Sequence, residues 1–263
     1  MRLVAILLIG LTWATPAVAA TQSGNDLVKA RLVSDVNSVK PGEPFTLGVL
    51  LKITPGWHIY WKNPGESGMA TSVKWKLPEG FAAGELQFPF PRQFGQSGDV
   101  IGYGYEDEVL LTATITPPKN LDSSKPLSVS ADVAWLVCEK VCLPGKAKLT
   151  LDFPTIAEAE VFAAWRQLFP RATLAASGNE SPRSAFAKWD NFVKDVRWFP
   201  VPPSASGIEN IQTKTDGRVS TITFDLVPAP GDAAPMSFLV VWTDENGKQQ
   251  GAEFTVNLPP AKK

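Results

Sequence analysis

Hydrophobic and polar positions alternate with period two through much of this chain. Phe45, Leu47, Val49, Leu51 and Ile53 are separated by Thr46, Gly48, Leu50 and Lys52, the pattern of a strand with one buried face. Trp57, Ile59 and Trp61 continue it after Pro55-Gly56, and Val73, Trp75 and Leu77 repeat it. The same alternation returns at Leu86, Phe88 and Phe90, at Val109 to Ile115, at Val133, Trp135 and Val137, and at Leu149, Leu151 and Phe153. Short strands at this spacing, punctuated by Pro and Gly, predict an all-β protein whose first unit, residues 25–155, is a β-sandwich. Thr155 and Glu158 then form a capping-box pattern, and Ile156, Ala159, Phe162 and Ala163 fit one face of a short helix stopped by Pro170. Small and polar residues over 171–184 read as a linker, so 156–184 is helix plus linker. A second, smaller β-rich unit follows over 185–263. Its hairpins are expected around Asp216-Gly217 and Asn246-Gly247.

The N-terminus follows a different pattern. Arg2, an apolar run over residues 3–11 and Ala17-Val18-Ala19 describe a secretory signal over residues 1–19. The run is too short for a span of about 20 residues. The expected mature protein is soluble and exported, hence periplasmic in a Gram-negative cell.

Composition narrows the chemistry. The 263 residues are 44% hydrophobic and 19% charged, which is globular composition. The net charge of −1 gives no support to a basic nucleic-acid surface, so no nucleic-acid partner is expected. One His and two Cys leave few members for any polar catalytic site. A Ser-His-Asp triad would have to run through His58, and neither a Gly-x-Ser-x-Gly nor a Walker sequence occurs. Asp107 and Glu108 lie in a Gly-Tyr-Gly-Tyr turn region, Gly102-Tyr103-Gly104-Tyr105, and read as a solvated loop. The tryptophan periodicity fits core burial better than a sugar-binding surface.

Cys138 and Cys142 carry most of the remaining information. On one extended strand they would lie ~13 Å apart, whereas a disulfide needs Cα atoms within ~7 Å. Either the pair is unbonded or the chain turns between them. A loop over Glu139, Lys140 and Val141 would set the two cysteines opposite each other at a hairpin end. A structural bond is one reading, although closing so short a loop stabilises by only ~2 kcal/mol. A redox-active pair is the second. The third is a copper(I) site of Cys138, Cys142 and His58, with Met69 as a further soft ligand.

The stretch Pro55-Gly56-Trp57-His58-Ile59-Tyr60-Trp61-Lys62-Asn63-Pro64-Gly65-Glu66-Ser67-Gly68 resembles the start of the exported N-terminal domain of DsbD-type protein-disulfide reductases, most nearly the ScsB copper-sensitivity suppressor branch. Val73 to Pro78, Phe88-Pro89-Phe90-Pro91, Tyr103-Gly104-Tyr105-Glu106 and Trp135-Leu136-Val137-Cys138 through Cys142-Leu143-Pro144 follow in the same order. The resemblance implies an immunoglobulin-like β-sandwich carrying a redox cysteine pair. It implies Cys142 as the sulfur that forms mixed disulfides and Cys138 as the one that resolves them. Phe94 matches the aromatic of a cap loop, and His58 and Tyr60 fall where the family places site-lining tyrosines. Lys140 and His58 are the cations at hand to favour a thiolate. The implied partners are a membrane-embedded CcdA-like or DsbD-like reductase and exported thioredoxin-fold or other thiol proteins, with no cofactor. Three departures stand out. Three residues rather than five lie between the cysteines, Arg92 and Gln93 replace acidic cap residues, and no Cys-x-x-Cys occurs, so a separate membrane reductase is expected to supply the electrons. Copper(I) binding for copper tolerance or delivery, and a non-catalytic interaction module with a structural disulfide, remain the alternatives.

Overall fold

The computed structural model describes residues 23–95, 101–171, 175–179, 184–203, 207–227 and 234–258. The signal segment expected over residues 1–19 lies outside them. Among the described residues no helix is long and apolar enough to cross a membrane.

The first unit opens with one helical turn, α1 (Gly24–Leu27). It runs on through β1 (Val28–Ser34), β2 (Phe45–Ile53), β3 (His58–Gly65), β4 (Ser72–Lys76), β5 (Ala82–Ala83), β6 (Arg92–Gly95), β7 (Ile101–Glu106), β8 (Glu108–Thr116), β9 (Leu127–Cys138) and β10 (Cys142–Phe153). One sheet has the order β1-β2-β8-β5. The other has the order β10-β9-β3-β7-β6, with β4 also paired to β9. The two sheets form the immunoglobulin-like sandwich. Leu47, Val49, Leu51, Val109, Leu111 and Ile115 from the first, and Ile59, Trp61, Val133, Trp135 and Val137 from the second, are almost completely buried in one core. These are the residues of the period-two pattern, because alternate side chains of a strand point to one face.

Helix α2 (Ala159–Arg166) packs on the outside of the first sheet, where Phe162 meets Val33, Leu50 and Leu110. Gly48 permits this approach, since a Cβ there would press on Leu110 and Val33. The expected capping box does not form. Glu158 is itself the N-cap, its carboxylate is held by the Arg31 guanidinium at 2.5 and 2.7 Å, and Ile156 is 83% exposed.

The second unit contains β11 (Ala175–Asn179), β12 (Ser184–Lys188), β13 (Lys194–Val201), β14 (Gly207–Asp216), β15 (Val219–Val227), β16 (Ala234–Thr243) and β17 (Gln249–Leu258). Sheets β11-β12-β15-β14 and β13-β16-β17 enclose a second core around Trp198, Ile222, Phe224, Phe238 and Val240. Both predicted hairpins are present, with Gly217 and Gly247 at positive φ in their turns. The predicted linker, in contrast, contains β11, paired in register with β12.

Two other local expectations change. The Gly-Tyr-Gly-Tyr stretch is strand β7, with Tyr103 and Tyr105 buried. Its glycines serve close packing, for a Cβ on Gly104 would collide with the Ile59 carbonyl. The alternation at Leu86, Phe88 and Phe90 yields only an isolated bridge, Gln87 to Thr112. Pro89 and Pro91 lack the N–H groups a ladder needs.

Candidate redox site

The β9–β10 ladder keeps register from Leu127 opposite Phe153 to Cys138 opposite Cys142. The chain therefore reverses over residues 139–141, and the cysteines form a disulfide with Cα atoms 4.2 Å apart. Trp135 and Val137 face the core, so Cys138 lies on the opposite, outer face of the sheet, and Cys142 lies beside it. The two sulfur-bearing residues differ in access: Cys138 is buried, with 2% exposure, and Cys142 is exposed.

The neighbouring strands extend this row. On β3, His58 is the register partner of Cys138 and, on its other side, of Glu106 of β7. Cys142, Cys138, His58 and Glu106 thus line up across four strands. Tyr60, two residues further on the same face of β3, is fully buried, and its hydroxyl lies 3.9 Å from Cys142 Sγ. The rings of His58 and Tyr60 meet edge to face at 5.3 Å. Phe94 of β6 sets its ring on the His58 ring, with centroids 4.4 Å apart. Beside it, Arg92 pairs with Glu106 at 3.1 Å, which ties β6 to β7 next to the histidine.

The structure therefore brings together all five residues singled out in the sequence: Cys138, Cys142, His58, Tyr60 and Phe94. His58 differs from expectation in its charge. Burial pushes its pKa below the ordinary value, with Glu106 opposing, and Nε2 is buried with no hydrogen-bond partner among the described residues. Burial thus favours the neutral ring over the cation. Lys140 sits in the exposed loop between the cysteines.

Two contributors were not identified from the sequence. Glu106 belongs to the Tyr103-Gly104-Tyr105-Glu106 motif, but its place opposite His58 depends on a long-range register. Gly68 has φ +110, and a Cβ there would strike the Tyr60 ring. The segment carrying Gly68 thereby covers Tyr60, and Ala70 bridges to it in parallel.

The copper(I) set of Cys138, Cys142 and His58 meets a chemical obstacle in this state, because the disulfide consumes both thiolates. Among the described residues no group of three or more His, Cys, Asp or Glu could hold a metal ion. Met69 is half-exposed.

A disulfide with one sulfur-bearing residue exposed and the other buried, beside a phenol hydroxyl, suits thiol–disulfide exchange. Of the two, Cys142 is the more accessible to solvent, and a hydroxyl near its sulfur can stabilise a thiolate there. The profile of the family described as "Thiol:disulfide interchange protein DsbD, N-terminal" matches residues 25–154. No curated protein sequence matches the chain. Among solved structures, the N-terminal periplasmic domain of ScsB from Proteus mirabilis superposes with a TM-score of 0.67 at 19% identity, covering 92% of this chain and 97% of that one. The reduced N-terminal domain of Neisseria meningitidis DsbD aligns at 10% identity and a TM-score of 0.31, over 51% of this chain and 89% of that one. Matched along the entire sandwich that holds the cysteine pair, residues 25–154 belong to the N-terminal domain family of the thiol:disulfide interchange protein DsbD.

Proposed function

We propose that the chain is a periplasmic thiol–disulfide interchange module. It accepts reducing equivalents from a separate membrane-embedded reductase of the CcdA or DsbD kind and passes them to exported thioredoxin-fold or other thiol proteins. The observation that carries this reading is the asymmetry of the Cys138–Cys142 disulfide, with Cys142 exposed and Cys138 buried.

In the reduced protein the Cys142 thiolate attacks one sulfur of a partner disulfide. A mixed disulfide forms and one partner thiolate leaves. The Cys138 thiolate then attacks Cys142 Sγ, releasing the second partner thiolate and closing the internal bond. Two electrons pass to the partner, whose thiolates take up two protons. The reductase dithiol reverses these steps on the next cycle. Tyr60 donates a hydrogen bond toward the Cys142 thiolate. Phe94, seated on His58, acts as a cap over the row of site residues.

The reduction potential tests the proposal. Metal-free protein is equilibrated in graded thiol buffers, alkylated and weighed intact. A midpoint between roughly −270 and −120 mV is expected, the range of exchange proteins. A midpoint below about −300 mV would make the bond structural and the chain an interaction module instead.

A further inference from the structure

The disulfide stands at one end of an outer sheet face that continues down β9, β10 and β4. The register gives its rows: Leu136 opposite Pro144, Ala134 opposite Lys146 and Ser72, Asp132 opposite Lys148 and Lys74, and Ser130 opposite Thr150 and Lys76. An apolar step therefore follows the cysteines directly, and four lysines follow the apolar step. Lys74, Lys76, Lys146 and Lys148 are all exposed. The acids on this face are Asp132 and, at its far end, Asp152. Lys76 pairs with Asp132 at 2.5 Å, and the Asp132 carboxyl is held below its usual range first by the Lys76 hydrogen bond, with Lys148 and Lys74 adding to it. One carboxylate thus answers three lysines. In a chain of net charge −1, this is a local positive excess. Three of these lysines, Lys74, Lys146 and Lys148, line an open groove of about 540 Å³ together with Asn25, Ser72 and Asp132.

We propose that this lysine-lined face is the docking track for the thiol–disulfide partner, and that the partner presents carboxylates beside its reactive sulfur. The inference rests on the exchange reading above and adds the chemistry of the partner. Distance fits the role. Lys146 and Lys148 stand four and six residues from Cys142, about 13 and 20 Å along the strand. A protein docked on Cys142 with an ordinary footprint of about 800 Å² covers that length. Apolar Leu136, Ala134 and Pro144 fill the space between sulfur and charge. The exposed Val141 at the hairpin tip adds an apolar contact on the other side of Cys142. Lysines at the rim of such an interface raise the encounter rate and select the partner's sign of charge.

Two probes separate docking from redox activity. The first is a pair of oxidised Cys-x-x-Cys peptides whose eight-residue tails carry four glutamates or four glutamines, reduced by the reduced protein. The glutamate peptide is expected to react about ten-fold faster at low salt. The advantage should vanish in 0.5 M salt and in the variant Lys74→Gln, Lys76→Gln, Lys146→Gln, Lys148→Gln, and survive when all four become Arg. Neutral 2-hydroxyethyl disulfide should react with all three proteins alike. Equal rates for the two peptides would overturn the docking proposal and leave exchange intact. The second probe is a fluorescent, cysteine-free glutamate peptide bound to the oxidised protein and read by anisotropy. It needs no exchange, so it decides the docking proposal even if the pair proves structural. Binding lost in the Gln variant and kept in the Arg variant supports the proposal. Binding unchanged in the Gln variant, or a preference for phosphatidylglycerol vesicles over the peptide, overturns it.

Discussion

At the scale of single residues, the site is set by what burial does to a histidine. His58 is enclosed by Cys138 and Glu106 on its two flanking strands and by the rings of Phe94 and Tyr60. Burial favours the neutral ring, so its folded pKa lies below the ordinary value, and the Glu106 charge offsets only part of that. In the unfolded chain the ring takes up a proton near pH 6.5. Below that pH the unfolded state binds a proton that the native state refuses, so stability falls as the solution is acidified. The contribution is fully present above about pH 6.5 and is lost as pH drops toward the folded pKa. The urea midpoint should therefore be flat between pH 8 and 7 and decline from about pH 6.5 downward. In His58→Gln that decline should be absent until the carboxylate range, where Glu158 and Asp132, held low by Arg31 and Lys76, begin to protonate. An identical decline in His58→Gln would assign the slope to other groups.

At the scale of elements, two segments outside the main ladders shape the site: β6, which brings Phe94 and Arg92, and the loop that folds Gly68 onto Tyr60. Gly68→Ala is expected to move the Tyr60 ring, both because its Cβ would meet that ring and because φ +110 disfavours a side chain. The hydroxyl then leaves Cys142 Sγ, and the thiolate loses a donor worth ~1 kcal/mol. Iodoacetamide alkylation of the reduced protein, followed against pH, should show the Cys142 transition displaced upward, as in Tyr60→Phe. An unmoved transition would separate Gly68 from the site. Neither segment was legible in the period-two pattern, and the reason is physical. Alternation reports strands with one apolar face, and so it gave β2, β3, β8, β9 and β10, which hold the cysteines and His58. It failed for β7, where glycines needed for close packing interrupt the apolar run, and for β11, whose Ala-Ala-Ser-Gly-Asn sequence resembles a linker. The three-residue loop placed Cys138 opposite Cys142 from local geometry alone. That His58 stands next to Cys138 depends on a β3–β9 register between residues 80 apart, which no local pattern encodes. Phe94 and Tyr60 were reached through family resemblance rather than through spacing.

At the scale of the whole molecule, the second unit is joined to the strands that carry the site. Phe199, Leu239 and Val241 enter the core of the first sandwich, Phe199 packs on Trp61 and Tyr103, and Lys62 pairs with Glu253 at 2.7 Å. One contact bears on the cap. Phe90 lies two residues before β6, its ring rests on Gly251 of β17, where a Cβ would collide with it, and its N–H donates to the Leu168 carbonyl at 2.7 Å. Tyr105 fixes the preceding Pro89 carbonyl with a 2.8 Å hydrogen bond. The root of the cap strand is thus clamped between β7, the end of α2 and the second unit, so the second unit should control access to the disulfide from a distance. Gly251→Val forces the Phe90 ring out of its seat and should loosen β6. Phe94→Ala removes the capping ring itself and sets the scale of the effect. Reduction of the oxidised protein by a small phosphine, at a temperature where every variant is folded by circular dichroism, should accelerate in both. The double variant should be no faster than Phe94→Ala, because the two changes act through one element and their effects do not add. Lys62→Ala, which cuts a contact between the units without touching Phe90, should reduce at the wild-type rate. If Lys62→Ala accelerates reduction as much as Gly251→Val does, the effect comes from general loosening of the two units and the clamp at Phe90 has no special part.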